Sequence, residues 1–173
     1  MSSKPSEADV PPVPICSSPP CYAAEFPGYF GEGAERVNPV LIDGLNALLE
    51  AERAGAKVLA ILRDGLDARS SERGLLERLQ KDEGANAVLL YKTIRRLGGM
   101  ASHDTGAFVQ KTLAVDGLAA RLVFLNKGQA WVVRKIDQVL PEVEDEAARA
   151  MLVEMRVSHL DNIAACEALL AMG

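Results

Sequence analysis

Two glutamates and a histidine stand where the amino-acid pattern asks for apolar residues. Stepping alternately four and three residues along a helical segment traces its inward seam. The first segment gives Leu41, Leu45, Leu48, Glu52, Gly55, Leu59 and Leu62. Its other face carries Asp43, Asn46, Glu50, Arg53 and Lys57, so Glu52 interrupts an apolar seam and Glu50 does not. The second gives Leu76, Leu79, Glu83, Asn86, Leu90 and Leu97. The third passes through Leu122, Asn126, Gln129, Val133 and Ile136, and the fourth through Leu152, Met155, His159, Asn162 and Cys166. One polar residue in a seam commonly fixes helix register. Four seams interrupted near mid-length predict a single polar layer across a helical bundle. An ionised carboxylate buried alone is very costly, so Glu52 and Glu83 require a cation, a shared proton or a hydrogen-bond network. Arg134 and Lys127 are candidate counter-ions. Asn86, Asn126, Gln129 and Asn162 can each donate and accept, and so can complete a network.

The elements that must carry this layer are helices. Asn38 as N-cap and Pro39 at the first helical position open a segment reaching Asp64. A second runs from Ser71 to Leu97 and stops at Gly98-Gly99. A third runs from Thr105 to Leu140, capped by Asp104 or Thr105, with a break expected at Asp116-Gly117. A fourth runs from Glu142 to Met172, its first turns acidic, which suits the positive end of the helix dipole. There is no period-2 alternation of useful length, so strands are not expected.

This pattern resembles the ferritin-like superfamily, in a divergent, rubrerythrin-like bacterial branch without assigned function. The segments LLEAERAGAK, RLVFLNKGQAWVVRK and MRVSHLDNIAACEALL carry the likeness. Di-iron members place Glu on the first helix, Glu-x-x-His on the second, Glu on the third and Glu-x-x-His on the fourth. Glu52 matches the first position and Glu83 the second, with Asn86 where the paired His would be. Asn126, before Gln129 in preference, stands at the third-helix Glu. His159 and Asn162 stand at the Glu and His positions of the fourth. The resemblance implies an all-α, ferritin-like four-helix bundle over residues 38–173, with residues 98–115 as the crossover between the second and third helices; an up-down-up-down bundle with a broken third helix is the alternative the pattern also allows. The lost carboxylates put a di-iron pair in doubt. What the resemblance leaves is a metal set of Glu52, Glu83 and His159, holding one Fe, Mn or Zn ion for redox or oxygen chemistry. Asn86, Asn126, Gln129 and Asn162 form its surroundings. The rival reading is a non-enzymatic scaffold whose polar layer is structural.

The remaining sequence bounds the function. Most of the nine prolines fall in residues 1–37, an irregular proline-rich arm. Tyr22, Phe26, Tyr29 and Phe30 make residues 21–30 an aromatic strap expected to lie on the bundle or on a second subunit. Cys16 and Cys21 lack a redox or zinc-ribbon spacing, and Cys166 reads as a small apolar residue. The chain has 173 residues, is 49% hydrophobic and carries net charge −5, which suits one globular domain and disfavours nucleic acid as partner. No apolar run is long enough to span a membrane. A cytoplasmic homodimer, paired through helix faces or the arm, is the expected setting, with Trp131 in the core or at that interface.

Overall fold

The computed structural model describes residues 37–172. The arm and its strap, with Cys16 and Cys21, lie outside the described residues.

Asn38 caps the first helix as its side chain implies: Oδ1 accepts from the Val40 and Leu41 amides at 3.1 and 3.2 Å. That helix, α1, spans Pro39–Asp64. Helix α2 spans Ser71–Arg96, with the Ser70 hydroxyl accepting from the Arg73 amide. Gly98 follows at φ +78, the left-handed turn that ends a helix without a Cβ penalty.

The third segment departs from its expected outline. It begins at Phe108 rather than Thr105, because Ala107 occupies the cap and no side chain bonds there. It supplies only a short helix, α3 (Phe108–Leu113), before the chain breaks. Gly117, at φ +81, makes the break, and α4 runs over Leu118–Val139. A 3-10 turn at Leu140–Glu142 takes Pro141 and the first acidic residue out of the last helix. Helix α5 therefore spans Glu146–Met172. Asp145 caps it, accepting from the Ala148 amide at 2.7 Å, and also receives both guanidinium nitrogens of Arg96 at 2.6 and 2.8 Å. The Arg96 bonds hold the Asp145 carboxyl down at about 2.

The four long helices form the bundle. The apolar core falls into two clusters. One joins the start of α1 (Leu45, Leu48) to the end of α2 (Leu90, Ile94), the end of α4 (Ile136) and the start of α5 (Leu152). The other joins the end of α1 (Leu59) to the starts of α2 (Leu76, Leu79) and α4 (Leu122, Leu125) and the end of α5 (Cys166). Helices α2 and α4 thus run the same way, and the link between them travels the length of the bundle. This is the crossover of a ferritin-like fold, not an up-down-up-down bundle. The link is tied to α1: Asn46 Oδ1 accepts from the Ser102 amide at 2.7 Å, and the Ser102 hydroxyl donates to Glu50 at 2.5 Å. No helix among the described residues is long and apolar enough to cross a membrane.

Candidate binding centre

Between the two apolar clusters lies the polar layer. Glu52, Glu83, Gln129 and His159 are at most 3% exposed and come one from each long helix. Their seams bring them to one level, since each sits near the middle of its helix.

The side chains form a ring. Gln129 donates through Nε2 to Glu83 Oε1 and accepts through Oε1 from His159 Nδ1. A carboxamide oxygen only accepts, so Nδ1 carries the hydrogen. The other ring nitrogen, Nε2, lies 2.8 Å from Glu52 Oε1, with one proton between them. Glu52 Oε2 in turn accepts from Asn86 Nδ2 at 3.1 Å. Asn86 is one turn beyond Glu83 on α2, so the chain of bonds returns to the helix it left. The partner of Glu52 is therefore His159, not Arg134 or Lys127, both of which are exposed.

One atom is left over. Glu83 Oε2 is buried and has no hydrogen-bond partner among the described residues. It lies over Gly55, where an added Cβ would come within 1.7 Å of it. A glycine at this turn of α1 is what admits the carboxyl group. Burial, and then the nearby Glu52, push the Glu83 carboxyl well above the ordinary carboxylate range, against the lowering bond from Gln129. The same burial, with Glu83 close by, raises the Cys166 thiol to about 11.

Two expected members stand elsewhere. Asn126 does not join the ring. It donates to the Ile163 carbonyl on α5 at 3.2 Å, and its Oδ1 finds no partner among the described residues. Gln129, three residues on, is level with Glu83 and long enough to bridge to α5. Asn162 is buried but borders a separate surface groove beside Arg78 and Asp82, between α2 and α5.

The ring forms one wall of a cavity of about 400 Å3 between α1 and α4, roofed by residues 105–108. Glu52, Glu83, Gln129 and His159 all border it, with Ala51, Gly55, Phe108, Phe124 and Trp131 among the other walls. Trp131, expected in the core or at an interface, and Phe108, which the sequence pattern does not single out, both line this cavity. The available signal was the run of small residues Ala47, Ala51, Ala54 and Gly55 on one side of α1, which leaves space instead of filling it.

Two irons do not fit this layer. The third and fourth helices offer an amide and an imidazole where bridging carboxylates would be needed. Of the donor atoms of Glu52, Glu83 and His159, a single ion would find only Glu83 Oε2 without a partner among the described residues. Among the described residues, no three His, Cys, Asp or Glu side chains group so as to hold a metal ion.

Comparison with known proteins agrees on the architecture. The chain superposes on a bacterioferritin-related protein of Bacteroides fragilis, described as a dodecameric thioferritin, with a TM-score of 0.66 at 15% identity over 77% of this chain and 85% of that one. A ferritin-like, diiron-carboxylate protein of Bacillus anthracis gives 0.56 at 17% identity, over 79% and 94%. At such identities the likeness establishes the fold. No curated protein matches the chain. Residues 39–168 match the family described as Domain of unknown function (DUF6306), so this ferritin-like chain belongs to that family.

Proposed function

We propose that this chain is a metal-free binding protein on a ferritin-like frame, its mid-bundle layer serving as the polar wall of a ligand cavity. One observation carries the reading. The ring spends both nitrogens of His159, both oxygens of Glu52 and both ends of Gln129 on one another. Such a layer holds four helices in register without a cation, and it faces an apolar space of small-molecule size. The scaffold role is included in this reading, since the same bonds lock the bundle.

The test is metal analysis of protein purified without chelator, followed by melting with and without EDTA. The expected result is far less than one equivalent of any transition metal and an unchanged melting temperature. About one equivalent, with a melting temperature lowered by EDTA, overturns it.

A second reading has one observation in its favour, the unpartnered Oε2 of Glu83. In it, Glu52, Glu83 and His159 would hold one Fe, Mn or Zn ion, which as Fe or Mn would supply redox or oxygen chemistry. Binding would release the proton between Glu52 and His159 and open the ring. Under this reading, metal uptake weakens as pH is lowered and is lost in Glu52→Gln.

A further inference from the structure

The walls of the cavity divide sharply by chemistry. The α1 side offers Ala47, Ala51 and Ala54, and the opposite side offers the rings of Phe108 and Phe124, stacked at 5.5 Å between centroids. Gly128 makes that arrangement possible: a Cβ there would meet the Phe108 ring at 2.6 Å. Charged side chains apart from the ring, Glu50 and Lys127, are also on the lining. Glu50 is engaged by Ser102 and Lys127 is exposed, which places the solvated charge at the rim.

At the ring, hydrogen-bonding capacity is almost exhausted. Glu52, His159, Gln129 and Glu83 Oε1 are all engaged, and Glu83 Oε2 is the one buried oxygen of the layer without a partner among the described residues. Leaving such a group unpaired is unfavourable, so an occupant that bonds to it gains affinity. Because Oε1 accepts from Gln129, the carboxyl proton of Glu83 sits on Oε2, which donates to a carbonyl or pairs with a hydroxyl. An occupant bearing a full charge would lose its hydration to apolar walls and gain a single hydrogen bond in return. Resting on the metal-free reading above, we propose that this cavity binds an uncharged, largely apolar small molecule with one carbonyl or hydroxyl head, received by Glu83 Oε2.

Three probes with one frame and different heads test this on the full chain: cyclohexyl methyl ketone, cyclohexanecarboxylate and cyclohexylmethylammonium. Calorimetric titration gives affinity. Emission of Trp131, the single tryptophan of the sequence and part of the cavity lining, reports the place. The expected result is that the ketone binds and shifts the emission, with both charged probes at least about tenfold weaker. Glu83→Leu should weaken the ketone about tenfold, the loss of one hydrogen bond. Ala51→Trp, which fills the cavity, should abolish its binding. Should either variant fail to melt cooperatively, the ranking of heads on the unaltered chain decides alone. A charged probe binding as tightly as the ketone, no binding by any probe, or full ketone affinity in a folded Glu83→Leu overturns the inference. Zinc titration separates the two failures. A melting temperature raised by zinc overturns the metal-free reading, whereas zinc without effect and probes without discrimination overturn the ligand class alone.

Discussion

Glu52 and Glu83 share a layer, a residue type and near-complete burial, yet their surroundings differ. Glu52 sits in a saturated corner: one oxygen faces the His159 ring and the other receives an amide hydrogen from Asn86. Glu83 sits in an open corner, with one oxygen held by Gln129 and the other over a glycine, without a partner among the described residues. The first arrangement resists removal of a partner, because every loss strands another buried polar group. The second already contains a stranded atom and so has less to lose. A saturated corner holds the bundle together, and an open one is where a ligand can bind.

The largest effect should come from breaking the saturated corner. Glu52→Leu leaves His159 Nε2 buried and Asn86 Nδ2 half-buried without partners, and should cost about 3–5 kcal/mol in urea unfolding. Glu83→Leu strands Gln129 Nε2 but removes the bare oxygen, and should cost about 1–3 kcal/mol. Glu52→Gln should stay within about 1 kcal/mol of the parent, since the new amide can donate to the free lone pair of a neutral imidazole. Equal costs for the two leucine variants would erase the distinction between the corners.

Gly55→Ala attacks the open corner from the other side. The added methyl would fall 1.7 Å from Glu83 Oε2 and 2.6 Å from its Cδ. The carboxyl must swing toward the cavity and give up its bond from Gln129, a cost of about 1–3 kcal/mol. Glu83→Ala placed in the same chain should recover much of it, because the clash disappears. A double variant as unstable as the sum of the singles would show that Gly55 matters for another reason.

A smaller effect follows from the raised Glu83 carboxyl. The folded chain holds this proton more tightly than the unfolded chain, whose carboxyl titrates near the ordinary 4.5. Above that pH the unfolded state binds fewer protons, so Glu83 makes stability fall as pH rises toward its folded value. Glu83→Gln lacks the titration. Its stability relative to the parent should therefore improve in urea midpoints as pH rises from 5 toward 8, levelling off once the folded Glu83 carboxyl ionises. A constant difference across that range would show that Glu83 ionises normally.

The polar layer was legible because charge in an apolar seam is conspicuous. Glu52, Glu83 and His159 stand out for that reason, as does the break at Asp116-Gly117, where only a glycine takes the required φ easily. The bonding pattern was less legible. A seam places residues on a face but does not say which of two amides one turn apart is level with the carboxylates. Nor does it show a cavity, since alanines and glycines signal space only once the opposite wall is known. The helix start at Phe108 was missed because Asp104 and Thr105 are good caps by type, while Ser102 and the link's bonds to α1 fix the backbone there first.

The choice between Asn126 and Gln129 gives the smallest expected effect and the finest test of the comparison. Asn126 has one bond, to the Ile163 carbonyl, and one buried oxygen without a partner among the described residues. Truncating it loses the bond, strands a carbonyl whose first lone pair is free to stay in its own helix, and removes the unpaired oxygen. These changes offset, and Asn126→Ala should shift stability by no more than about 1 kcal/mol. Gln129→Ala cuts the ring in the middle, stranding Glu83 Oε1 and His159 Nδ1 at once, and should cost at least twice as much. Combining each with Glu83→Leu sharpens the point. Gln129→Ala should be strongly non-additive with it, because both break the same bond, whereas Asn126→Ala should add. If Asn126 couples to Glu83 and Gln129 does not, the ring runs through the wrong amide and the open corner has been drawn around the wrong oxygen.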